Sequence, residues 1–132
     1  MAFGRRQFLT ATAVGVAALA MPAGASRIEE TTMYGLIGKM KAVPGQRDAL
    51  ISILLDGVSG MPGCLSYVVA QDPADADAVW ITEVWDSQAS HKASLSLPSV
   101  QAAIAQGKPL IAGFDQHIET SPVGGHGISG AA

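Results

Sequence analysis

Glycine and proline break this chain at intervals that leave room only for short elements. Pro44-Gly45, Gly60 with Pro62-Gly63, Asp72-Pro73, Pro98, and Gly107 with Pro109 each stop a run of otherwise apolar sequence. The runs between them differ in period. Residues 33–42 read as a strand, with Tyr34, Leu36 and Met40 on one face and Ile37 on the other. From Gln46 to Ser59 the apolar positions Leu50, Ile53, Leu54 and Val58 recur at helical spacing. Cys64 to Gln71, carrying Leu65, Val68, Val69 and Ala70, and Ala78 to Trp85 read as two strands of a hairpin around the acidic turn that opens at Asp72. A helical region then begins at Asp86 or Ser87, either of which can cap it, and its Ser and Ala content predicts light packing. Pro98 suits the first turn of a further helix that turns Val100, Ala103 and Ile104 inward and stops at Gly107. Pro109 to Thr120 is the last strand, where Leu110, Ala112, Phe114 and Ile118 alternate with Asp115, His117 and Glu119.

The order β-α-β-β-α-β predicts a ferredoxin-like α+β domain, a four-stranded antiparallel sheet with helices on one face. The second and third strands, however, are apolar on both faces, as in sheets covered on two sides. A second copy of the same sheet is the simplest cover, so a two-fold homodimer is expected. The 132 residues suffice for one modest core and not for two. The single cysteine, Cys64, excludes an intrachain disulfide, and no Cys/His spacing of the zinc kind is present.

Residues 1–25 have a different character. Arg5-Arg6 precedes Phe8-Leu9, an uncharged run extends from Thr10 to Met21, and Ala23-Gly24-Ala25 supplies a small-residue cleavage site. The run is shorter than the ~20 apolar residues of a comfortable membrane span. The pattern fits a twin-arginine export signal, which carries proteins already folded. An ordinary secretory signal or an uncleaved anchor are the alternatives. The expected organisation is therefore signal 1–25, flexible lead-in 26–32, domain 33–120 and a disordered glycine-rich tail 121–132, with a periplasmic or secreted location and no stable span once the leader is removed. Without the two leader arginines the chain has 6 basic against 11 acidic side chains, a net charge of −5. That balance argues against nucleic acid or an anionic membrane surface as partner, since both need clustered cations.

Met61-Pro62-Gly63-Cys64-Leu65-Ser66-Tyr67, then Gln71-Asp72-Pro73, then Glu83-Val84-Trp85-Asp86-Ser87, resemble the antibiotic biosynthesis monooxygenase family in content, spacing and order. The resemblance covers residues 33–119. It implies a dimeric α+β barrel, in agreement with the two-sided strands. Its implication for activity is broad, because such proteins include cofactor-free oxygenases of quinols and polycyclic aromatics, haem-degrading enzymes, isomerases and proteins without known reaction. Many relatives carry histidines at the positions matching Ser94 and Ser99, and their absence here leaves haem binding with little support. His91 lies one helical turn before Ser94.

The candidate catalytic groups are His91 and Glu83. His91 brings an imidazole, the side-chain type suited to proton transfer near neutral pH, and, one turn from Ser94 and Leu95, can edge a common cavity with them. Glu83 shares a strand face with Val79, Ile81 and Trp85, where a carboxylate is either hydrogen-bonded or raised in pKa and able to act as a base. Trp85 and Trp80 lie on opposite faces, one toward the helices and one toward a partner sheet. Trp85, Tyr34, Tyr67 and Ser94 are the candidate substrate-binding residues; each aromatic also reads as core packing. His91 equally reads as a solvated helix histidine, His117 between Asp115 and Glu119 as a solvated or interface edge, and Cys64 as an inert buried thiol. The sequence has no cofactor or metal motif, so none is expected. The resulting expectation is a cofactor-independent monooxygenase acting on a small quinol or phenol, set against a non-catalytic binding or stress-related module and a small-carbonyl isomerase.

Overall fold

Each break in the sequence coincides with the end of an element. The computed structural model describes residues 32–128; the expected export signal and most of the lead-in lie outside them. Strand β1 is Tyr34–Ala42, helix α1 Arg47–Gly57, β2 Cys64–Gln71, β3 Ala78–Trp85, α2 Gln88–Ser94, α3 Pro98–Gly107, and β4 Ile111–Thr120 after a 3-10 turn at Lys108–Leu110. The sheet runs β2-β3-β1-β4 with every pair antiparallel. This is the expected ferredoxin-like α+β fold. The two helices expected after β3 are both present, separated because Pro98 takes the first position of α3 and holds the residue before it extended.

Registers across the sheet sort the side chains into two faces. On one, Leu50 of α1 packs with Ala42, Val79 and Ile81, and Met40, Leu54, Tyr67 and Val69 close around them. Leu50 and Val79 are fully buried, each contributing about 1.5–3 kcal/mol of apolar transfer. No described helix is long and apolar enough to cross a membrane. The hairpin between β2 and β3 is tied to α1 by Arg47, whose Nη1 donates to the carbonyls of Asp75 at 2.9 Å, Asp72 at 3.3 Å and Ala78 at 3.5 Å.

On the other face, Val68, Thr82, Ile37 and Ile118 form one row across all four strands, with Val68 52% and Ile118 45% exposed. The next row contains Trp80 and Lys39. Lys39 Nζ sits 5.3 Å above the Trp80 ring, and Trp80 Nε1 donates to Asp72 Oδ2 at 2.9 Å. The two tryptophans therefore take opposite faces, as the sequence reading expected.

Strand β4 departs from its simple alternation. Lys39 pairs with Gln116 and Met40 with Phe114, so Asp115 is bulged out of the ladder. The extra residue reverses the facing of everything beyond it. His117, opposite Gly38, and Glu119, opposite Leu36, thus share the helix side with Phe114, whereas Ile118 joins the outer row. The expected apolar face containing both Phe114 and Ile118 does not exist.

Candidate functional site

The helix side of the sheet carries a carboxylate in the middle of a cross-strand row: Tyr67 on β2, Glu83 on β3, Leu36 on β1 and Glu119 on β4. Two residues further along β3, Trp85 is 1% exposed, and its Nε1 donates a 2.8 Å hydrogen bond to Glu83 Oε1. Burial pushes the Glu83 carboxyl above its ordinary range; the Trp85 hydrogen bond and the positive potentials of His91 and His117 oppose that shift without cancelling it. Glu83 is thus satisfied within its own chain.

Helix α2 brings His91 to this carboxylate. Its start is fixed twice. Ser87 Oγ accepts a 3.1 Å hydrogen bond from the Ser90 amide as N-cap, and the Asp86 amide donates to the Gly63 carbonyl at 2.9 Å. Gly63 has φ of +82°, and a Cβ there would lie 2.5 Å from Ser90 Oγ, so the glycine of the Pro62-Gly63-Cys64 run is what lets α2 dock against the start of β2. From α2 the His91 ring meets Tyr34 at 5.4 Å, tilted by 40°, and the Trp85 edge at 5.4 Å, inclined by 74°. His91 Nε2 lies 3.9 Å from Glu83 Oε1, beyond a direct hydrogen bond. A pair of this kind tightens once a reacting hydroxyl lies against it.

Glu83, His91, Trp85, Tyr67 and Ser94 line one cavity of about 670 Å³ between the sheet and the helices. Its remaining wall is chiefly apolar, with Met40, Leu50, Leu54, Val58, Met61 and Val100 among the lining residues. Five of the six candidate site residues therefore converge. Tyr34 does not line the cavity; it stands behind His91, and its hydroxyl donates to Glu119 Oε2 at 2.6 Å. That hydrogen bond, with lesser help from burial, pushes the Tyr34 phenol up to about 12. Ser94 is buried and its hydroxyl donates to the His91 carbonyl at 2.6 Å, which leaves only its lone pairs for a ligand. Burial also raises the Tyr67 phenol well above its ordinary value, keeping it a neutral donor. The Cys64 thiol, half-buried, is pushed up by burial and is a poor nucleophile as a result. Among the described residues no group of three or more His, Cys, Asp and Glu is placed to hold a metal ion.

Phe114 lines the cavity and Glu119 holds Tyr34 outside it, and sequence reasoning gave neither of them that place. Both lie on β4, where the bulge at Asp115 conceals which face each takes. Phe114, Leu95 and Ile104 line the cavity yet remain 68%, 44% and 49% exposed. Ile104, expected to point inward, does turn toward the cavity and stays at its rim.

Sheet, helices and cavity together define a small ferredoxin-like α+β domain that encloses a largely apolar pocket with a carboxylate–imidazole pair in its lining. The chain belongs to the antibiotic biosynthesis monooxygenase family, whose sequence signature matches residues 33–106. It is similar to the crystal structure of a candidate antibiotic biosynthesis monooxygenase from Chloroflexus aurantiacus J-10-fl, at 79% identity and a TM-score of 0.72, over 73% of this chain and 98% of that one. A Caulobacter crescentus structure similarly described superposes at a TM-score of 0.66 with 20% identity, over 76% of this chain and 99% of that one. A Pseudomonas aeruginosa structure does so at 0.63 with 21% identity, over 72% and 98%. At those identities the last two speak for the fold alone. No curated protein matches the sequence.

Proposed function

We propose that this chain is a cofactor-independent monooxygenase that oxidises a small quinol or phenol in the pocket beneath the helices. One observation carries the reading: a carboxylate raised by burial stands 3.9 Å from an imidazole in the lining of a largely apolar cavity. Such a pair can take a proton from a bound hydroxyl, and burial makes the carboxylate a stronger base than it is in water. The electron-rich anion that results reduces oxygen itself. One oxygen atom enters the ring and the other leaves as water, with the quinol supplying every electron the reaction needs. His91 and Glu83 act as the base, the neutral Tyr67 phenol donates a hydrogen bond to the developing anion, and Trp85 walls the ring. The apolar lining excludes water from the intermediate.

The same acid–base pair suits proton transfer next to a carbonyl, the isomerase reading, which consumes no oxygen. Oxygen uptake by the purified full chain with a panel of reduced naphthoquinols and benzoquinols separates them. Uptake well above autoxidation, lost in His91→Ala, is the expected result. Turnover at the background rate across the panel would refute the oxygenase and leave a binding module or an isomerase.

Two further readings accompany this one. The Arg5-Arg6-Gln7-Phe8-Leu9 run supports twin-arginine export to the periplasm or beyond, to be checked by cell fractionation of the Arg5→Lys/Arg6→Lys double variant. The row of Val68, Ile37 and Ile118 supports a homodimer through the outer face of the sheet.

A further inference from the structure

The few polar groups of the cavity lining are clustered. Glu83, His91 and Tyr67 lie together by the cross-strand row and α2, and the greater part of the remaining wall is apolar. Its volume of about 670 Å³ falls in the ~300–1,000 Å³ range of sites that enclose whole small molecules, more than one aromatic ring needs at the packing density of protein interiors. The apolar surface also does not stop at the wall. Leu95 after α2, Ile104 in α3 and Phe114 in β4 all line the cavity and are all exposed at 44–68%. Single exposed apolar side chains are ordinary. Three from separate elements, gathered on one cavity, extend the pocket's apolar lining to the solvent.

We propose that the pocket takes an amphiphile: a phenol or quinol whose hydroxylated ring lies against Glu83 and His91 and whose hydrocarbon tail runs out over Leu95, Ile104 and Phe114. The head follows from the proposed function, on which this inference rests; the tail follows from the rim. A ligand without a tail leaves the rim wet and part of the cavity unfilled. Lys108, on the turn beside the cavity, presents an apolar stem to such a tail and keeps its ammonium free for water.

The test is calorimetric binding of 4-alkylphenols, from ethyl to octyl and below their aggregation concentrations, to the full chain and to Leu95→Ser, Ile104→Ser and Phe114→Ser. Affinity is expected to rise about two- to fourfold per methylene, with a gain that continues for the longest tails. The three exposed substitutions should flatten that rise for long tails and move 4-ethylphenol binding less than twofold. Affinity that levels off at short tails in the unaltered chain, or a chain-length dependence untouched by all three substitutions, overturns the proposal. The unaltered chain's own series decides the matter if a variant does not fold. The outcome is independent of turnover. Tail-dependent binding without oxygen uptake from the matching alkylquinol removes the oxygenase reading and keeps the amphiphile site, whereas oxygen uptake with tail-blind affinity does the reverse.

Discussion

Trp85 Nε1 donates to Glu83 Oε1 at 2.8 Å from two residues further along the same face of β3. The strand period of two alone brings the indole and the carboxylate together, so the donor is fixed wherever β3 is fixed. The hydrogen bond favours the ionised carboxylate, yet burial is the larger influence and holds the Glu83 pKa above its ordinary value of 4.5.

That balance has a sign that denaturation can read. The folded chain holds the Glu83 proton more tightly than the unfolded chain does. Stability from this group is therefore greatest below the ordinary carboxylate pKa and falls as pH rises through the raised folded value. Glu83→Gln keeps an acceptor for Trp85 and removes the titration. Urea midpoints at about pH 3.5 and about pH 8 should show the variant gaining on the unaltered chain as pH rises. A difference that shrinks with pH would mean that the ionised carboxylate is favoured by its surroundings.

The Tyr34 phenol is raised to about 12 chiefly because its hydroxyl is bonded to Glu119. Phenolate absorbance on titration should show no tyrosine ionising near pH 10 in the unaltered chain, since burial raises Tyr67 as well. Glu119→Gln should return Tyr34 toward its ordinary value of 10.0 while Tyr67 stays high. If the profile is the same with and without Glu119, the carboxylate is not what holds Tyr34.

These two carboxylates differ in how far the sequence revealed them. Glu83 was legible because a charge interrupts the alternating apolar residues Val79, Ile81 and Trp85 of one strand, a local signal. His91 could be set beside Ser94 and Leu95 by helical spacing alone. The hairpin of β2 and β3 was legible to the residue, since Asp72-Pro73 marks its turn and its strands pair locally. Glu119 was not, because its partner Tyr34 is 85 residues away and a bulge at Asp115 sets the intervening register. Bulges have no local signature here, so alternation read through Asp115 assigned Phe114, His117 and Ile118 to the wrong companions. The cavity was also closed to sequence reasoning. Periodicity says that Val100, Ala103 and Ile104 turn one way, and not whether the space before them is filled.

Gly63→Ala should cost about 1–3 kcal/mol, because a non-glycine residue at positive φ is strained and its Cβ would press on Ser90 Oγ and Asp86 Oδ1. Those groups belong to the start of α2, so the damage should reach His91. The expected readout is a lower urea midpoint together with a shifted His91 imidazole resonance relative to those of His117 and His126. A midpoint unchanged within error would show that α2 docks without the glycine.

The outer face of the sheet makes the sharpest claim about assembly. Val68, Thr82, Ile37 and Ile118 span all four strands in one row, and in the single chain the row leaves Val68 and Ile118 about half exposed. Two such sheets related by a two-fold axis would bury the row against itself, as an isologous interface requires. A charge placed there acts differently in the two states. In a monomer, Val68→Glu stays in water and changes stability little, because surface substitutions usually fall within about 0.5 kcal/mol. In a dimer it is buried without a partner twice over, a penalty of several kcal/mol. Light scattering at micromolar concentration should therefore report a dimer for the unaltered chain and a folded monomer for Val68→Glu, with the far-ultraviolet circular dichroism of the two alike. A dimer that survives the substitution would place the interface elsewhere, and a monomeric unaltered chain would leave the apolar row without a second copy to cover it.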